Sequence, residues 1–77
     1  MTRTEHYHVD LVDAGNGRLL DSWHVDSEDL AELLAADGAR WLTDGGWRVI
    51  AQDDTSYTLA SGNERRRITR RTCTAAH

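Results

Sequence analysis

Glu5-His6-Tyr7-His8-Val9-Asp10-Leu11-Val12, then Asp13-Ala14-Gly15-Asn16-Gly17-Arg18, then Leu19-Leu20-Asp21-Ser22-Trp23-His24-Val25, is the stretch on which the fold turns. The outer two runs alternate polar and apolar residues, and the glycine-bearing run between them interrupts the alternation. A period of two broken by Gly-Asn-Gly predicts a β-hairpin. With Gly15-Asn16-Gly17 as a three-residue loop and Gly17 in the left-handed region, Ala14 pairs with Arg18. Tyr7, Val9 and Leu11 then lie opposite Val25, Trp23 and Asp21 on one face. His6, His8 and Asp10 lie opposite Asp26, His24 and Ser22 on the other. The first face is apolar and belongs to the core; the second is polar and faces water.

Working outward, Asp26-Ser27-Glu28-Asp29 opens a helix, because a short polar side chain caps the first amides and acids suit the positive end of the dipole. Leu30, Leu33, Leu34 and Trp41 recur at helical spacing and are expected to face the core. Gly38 falls in the stripe of Leu30, Leu34 and Trp41, so the helix is expected to run through it to about Thr43, with the glycine backbone close to the sheet. Asp44-Gly45-Gly46 is the stop. Trp47-Arg48-Val49-Ile50-Ala51-Gln52 reads as a strand with Trp47, Val49 and Ala51 inward. Asp53 to Ser56 turns the chain, Tyr57 to Ala60 returns it, Ser61 to Glu64 turns it again, and Arg65 to Thr72 is a last strand. The order β-β-α-β-β-β, with one α-helix packed on an antiparallel β-sheet, is an α+β two-layer sandwich in one small domain spanning residues 1–77. Trp23, Trp41 and Trp47 all take core positions in this reading. Pairing within each hairpin is expected; the order of strands across the sheet is left open.

The chain has 77 residues, enough for one core that buries about 60% of the unfolded surface. Charge is segregated: all 13 acids precede residue 65, where they meet only Arg3, Arg18, Arg40 and Arg48, while Arg65-Arg66-Arg67-Ile68-Thr69-Arg70-Arg71 gathers five arginines. A protein with a formal net charge of −4 can therefore carry a local anion site. Arginine without lysine, with abundant Ala, Asp and Gly and no proline, reads as GC-rich coding, as in a high-GC bacterium or its phage. The single cysteine, Cys73, has no internal partner for a disulfide. No apolar run approaches the ~20 residues of a membrane span, and the N-terminus lacks a hydrophobic leader. The expectation is a cytoplasmic protein with no membrane partner and no cofactor.

Two constellations carry chemistry. In an extended strand Arg65, Arg67 and Arg71 project to one side at intervals of roughly 6.6 Å or its multiple, and Arg48 joins them if its strand is near. Guanidinium forks grip phosphate or carboxylate and never lose their charge. The competing reading is that arginines on a last strand protect an exposed sheet edge, or neutralise the chain's own acids. The second constellation is His6, His8 and His24 with Asp10 on the wet hairpin face, a weak candidate for metal binding or pH sensing that depends on the hairpin register. Ser22, His24 and Asp26 sit on a flat face with no second element to build an oxyanion hole, so no hydrolase triad is expected.

These residues point to a non-enzymatic binding or regulatory module, an inhibitor or adaptor, that docks a charged face on a protein partner. Glu28, Asp29, Glu32 and Asp37 form a candidate acidic partner face on the helix, and the arginine strand a basic one. An alternative is a nucleic-acid accessory protein contacting phosphates through Arg48, Arg65, Arg67 and Arg71. If the arginine strand is an edge, it also offers a route to a homodimer.

Overall fold

In a computed structural model, which describes residues 6–73, the strands are β1 (His6–Asp13), β2 (Leu19–Val25), β3 (Arg48–Gln52), β4 (Ser56–Ser61) and β5 (Glu64–Cys73), with one helix, α1 (Glu28–Asp44), between β2 and β3. They form a five-stranded antiparallel sheet in the order β2-β1-β5-β4-β3 with α1 across one face, the α+β arrangement that the alternation and the helical stripe imply. Glu5, which opens the first alternating run, lies outside the described residues.

The hairpin has the expected register over most of its length: Tyr7, Val9 and Leu11 pair with Val25, Trp23 and Asp21. Its closed end differs. The Asp13 N–H donates to the Arg18 carbonyl (2.8 Å) and the Gly17 N–H to the Asp13 carbonyl (2.7 Å), whereas the Ala14 N–H donates to the Arg65 carbonyl (2.9 Å). Ala14 is thus drawn toward β5 and does not pair with Arg18. The loop gains a residue, and a bulge at Leu20 absorbs the slip before Asp21. Gly17 takes the left-handed conformation expected of it, with φ 75°. In the β4–β5 hairpin Ser61 pairs with Glu64, and Gly62, at φ 58°, occupies the place in a two-residue loop where only glycine is unstrained.

Ser27 caps α1, its Oγ accepting from the Leu30 N–H at 3.4 Å, and the helix ends where Gly45 donates back to Trp41 and Leu42. It runs through Gly38 as expected, but the face it buries is different. Ala31, Ala35, Ala39 and Leu42 point to the sheet, while Leu30, Leu33 and Trp41 are exposed, Trp41 to 70%. The buried stripe is displaced by one residue, a rotation of ~100°. The physical reason is proximity: small alanines and Gly38 let the axis settle close over Ile68, which a Leu30–Trp41 face would hold away. Val9, Leu59 and Ile68 fill the sheet side of this core. Of the three tryptophans assigned to it, Trp47 is half-buried, Trp23 is 38% exposed and Trp41 lies outside. A second bulge, at Ile50, passes Val49 opposite Leu59 but Ala51 opposite Thr58, and so turns Ala51 to the face away from the helix.

The arginine strand is at the centre. β5 pairs with β1 on one side and β4 on the other, and the free edges belong to β2 and β3. Arg65, Arg67 and Arg71 therefore protect no edge, and a homodimer cannot form by strand addition to β5. A hairpin reading could not reveal this, because the β1–β5 pairing joins residues as far apart as His6 and Cys73, at opposite ends of the described chain.

Candidate functional site

Alternation divides the five arginines of β5 between the two faces of the sheet. Arg66 and Arg70 share the helix side with Ile68, and both are engaged there. The Arg66 guanidinium stands 4.6 Å from the centre of the Trp47 ring, a cation–π contact. Arg70 donates twice to the Asp54 carbonyl (2.7 and 3.2 Å) and pairs with Glu32 and, at 3.9 Å, Glu28, tying the helix to the β3–β4 turn.

Arg65, Arg67 and Arg71 stand on the open face. Arg48 shares it, in one cross-strand row with Ala60 and Arg65, because β4 lies between β3 and β5 and contributes only a buried methyl at that row. The next row holds Thr58 and Arg67 with Val12, and the next Ser56 and Thr69 with Asp10 and Ser22. Among the described residues no carboxylate pairs with Arg48, Arg65 or Arg67; the Arg65 guanidinium donates only to the carbonyls of Gly62 (3.1 Å) and Glu64 (3.0 Å). The result is three guanidiniums over small side chains, on a surface open to a flat anionic partner.

Arg71 belongs to a different arrangement at the other end of the same face. Its Nε donates to Asp10 Oδ2 at 2.6 Å, and Ser22 Oγ donates to Asp10 Oδ1 at 2.7 Å. Burial alone would raise the Asp10 pKa, but the hydrogen bonds from Arg71 and Ser22, with the charges of Arg71 and His8, together hold it below the usual 3.8. Beyond this pair the His6, His8 and His24 rings gather with centroids 4.5 to 5.4 Å apart, His6 only 3% exposed beneath the others. The register thus brings the histidines together as expected. Two of the three ring contacts are edge-to-face, and each Asp10 oxygen accepts a hydrogen bond, from Ser22 or Arg71. Among the described residues no group of three His, Cys, Asp or Glu side chains is placed to hold a metal ion. Ser22 likewise directs its hydroxyl to Asp10 and not to His24.

The four helix acids do not make one face. Glu28 and Glu32 lie on the side of α1 that meets Arg70, whereas Asp37 lies toward β2 beside Trp41. Asp29 is exposed with no ion partner among the described residues. An acidic docking face built from all four is therefore divided, with half of it neutralised internally. Sequence reasoning also missed the apolar groove between α1 and β2, walled by Trp23 and Trp41. Its signal was present in the two competing apolar stripes of α1, of which only one can be buried. Comparison with family models, curated proteins and solved structures finds no match to this chain.

Proposed function

We propose that the protein is a non-enzymatic docking module that lays the open face of its sheet against an acidic patch on a protein partner. The carrying observation is the sorting of the arginines: Arg66, Arg70 and Arg71 are engaged within the fold, while Arg48, Arg65 and Arg67 have no carboxylate partner among the described residues. Internal neutralisation applies to none of these three, and edge protection, the other structural use of such a run, does not apply to Arg65 and Arg67, which stand on the central strand; Arg48 lies on the free edge β3. Guanidiniums so placed favour carboxylates held in bidentate fashion. Their spread over β3 and β5 suits a two-dimensional patch, and the small residues between them allow close approach.

A nucleic acid is the second reading, supported by the spacing of roughly 6.6 Å between Arg65 and Arg67 along the strand, close to that of successive phosphates. Against it stand the formal net charge of −4, which repels a long polyanion, and the lack of an exposed Trp, Tyr or Phe for base stacking on this face among the described residues. Fluorescence anisotropy at about 50 and 200 mM salt separates the two, with a glutamate-rich peptide, duplex DNA and single-stranded RNA as probes, for wild type and for Arg48, Arg65 and Arg67 changed together to Ala. Peptide binding that the triple variant loses supports the docking module. Binding of nucleic acid alone moves the assignment to the second reading, and binding of no probe at the lower salt removes both.

A further inference from the structure

A second surface lies on the other side of the sheet. Between α1 and β2 runs a groove of about 560 Å³, walled by Leu20 and Trp23 from the strand and by Leu34 and Trp41 from the helix, with Ile68 in its floor. It exists because α1 settles over the middle of the sheet on its alanine stripe and leaves β2 uncovered; every β2 residue but Val25 is exposed. Its volume falls in the range of ligand-binding clefts, but it is open along its length, and one long side is the free edge of a sheet.

The direction of that edge follows from two bonds. Asp13 donates to Arg18 across the hairpin, and Ala14 donates to Arg65 of β5, so odd residues of β1 turn their backbone groups to β2 and even residues to β5. Trp23, opposite Val9, therefore spends its backbone groups on β1, and Ser22 turns its own outward. The Ser22 N–H meets the Asp21 carboxylate at 2.8 Å, a charge held at the lip of the edge.

We propose that this groove receives an extended, cationic segment of a protein partner as a sixth strand beside β2. Main-chain hydrogen bonds to the outer side of β2 hold such a segment, and its alternate side chains enter the apolar groove between Trp23 and Trp41. Charge decides the occupant. Asp21 and Asp37 line the groove and give its walls a negative charge. Arg66 reaches the groove but stacks on Trp47. An incoming carbonyl takes the Ser22 N–H and frees Asp21 to pair with a lysine or arginine on the segment. A second copy of this chain fits poorly, since antiparallel β2–β2 pairing would bring two Asp21 carboxylates into one seam, and like charges across strands repel.

The test is titration of the whole protein with a blocked synthetic peptide of about eight residues, a strand's length, alternating valine with lysine. Binding is followed by tryptophan fluorescence and by hydrogen exchange at the Ser22 amide. Expected are saturable binding, protection of Ser22, and a loss of at least about tenfold on replacing lysine by glutamate or on N-methylating the amides of one peptide edge. Trp41→Ala, at an exposed position that leaves the core intact, and Leu20→Asp, from the opposite wall, each weaken binding to a similar degree. Equal affinity for the lysine and glutamate peptides, indifference to N-methylation or to both substitutions, or no binding up to about 1 mM overturns the proposal.

Discussion

Gly38→Ala combined with Ile68→Val tests the close approach of the helix to the sheet. Gly38 lies inside α1, where alanine is preferred by ~1 kcal/mol. A Cβ built there would stand 3.2 Å from Ile68 Cδ1 and 3.9 Å from its Cγ2, so a methyl group meets a fully buried side chain that must give way. Overpacking of this kind costs ~1–3 kcal/mol, and the single variant Gly38→Ala should fall between neutral and about 2 kcal/mol less stable. Ile68→Val removes Cδ1 and by itself costs ~0.5–1.5 kcal/mol. Together the new methyl occupies the space that Cδ1 vacates, the clash is relieved and the helical preference is kept. The double variant should lie within ~0.5 kcal/mol of wild type or above it, a favourable coupling of ~1–3 kcal/mol. Urea unfolding followed by tryptophan fluorescence reads the four proteins directly, and for a chain of this size each kcal/mol moves the thermal midpoint by ~4–8 °C. Additivity within ~0.3–0.5 kcal/mol would refute the reasoning, since Gly38 would then not lie against Ile68.

Other outcomes follow from the same geometry. Arg65→Ala with Arg67→Ala should leave the unfolding midpoint within ~0.5 kcal/mol of wild type, since no carboxylate depends on them, while abolishing capture of an acidic peptide. Arg70→Met, which strips the Asp54 carbonyl and Glu32 of their partner, should cost ~1–3 kcal/mol in denaturant titration. Asp10 has a lowered pKa in the folded protein, so its contribution is present above the ordinary carboxylate pKa and is lost as pH falls through the lower folded value. Asp10→Asn should therefore be ~1–2 kcal/mol less stable than wild type near neutrality, and the gap should close in acid; urea midpoints at neutral and acid pH measure it.

Much of the architecture is legible from local signals. Alternation in residues 6–12 and 19–25, Ser27 at one end of the helix and Gly45-Gly46 at the other, and the glycine turns each act within a few residues, where pattern and propensity hold. The face of the helix is not legible in this way. Leu30, Leu34 and Trp41 repeat at helical spacing, but so do Ala31, Ala35 and Leu42, and only contact with Ile68 and Leu59 chooses between them. The bulges at Leu20 and Ile50 escape for a similar reason: each is set by a partner strand. As for the candidate site, the common face of Arg65, Arg67 and Arg71 follows from strand alternation alone. Arg48 joins them only because β4 separates it from β5. That Arg70 and Arg71 are engaged while Arg67 is not depends on Glu32, the Asp54 carbonyl and Asp10, groups brought from three different elements.

The central position of β5 has a consequence for biogenesis. On a ribosome the β1–β2 hairpin, the helix and the β3–β4 hairpin all emerge before the strand that joins them, and until then Val9 on one hairpin and Leu59 on the other have no shared sheet to close. Pairings between positions as distant as His6 and Cys73 carry a high loop-closure entropy and form late, so the core should condense in one concerted step once β5 is free. During that interval the apolar sides of two incomplete sheets are open to solvent. The dense positive charge of the awaited strand keeps it soluble and poorly disposed to stack on its own kind, which makes the arginine run a safeguard of the nascent chain as well as the source of its open face.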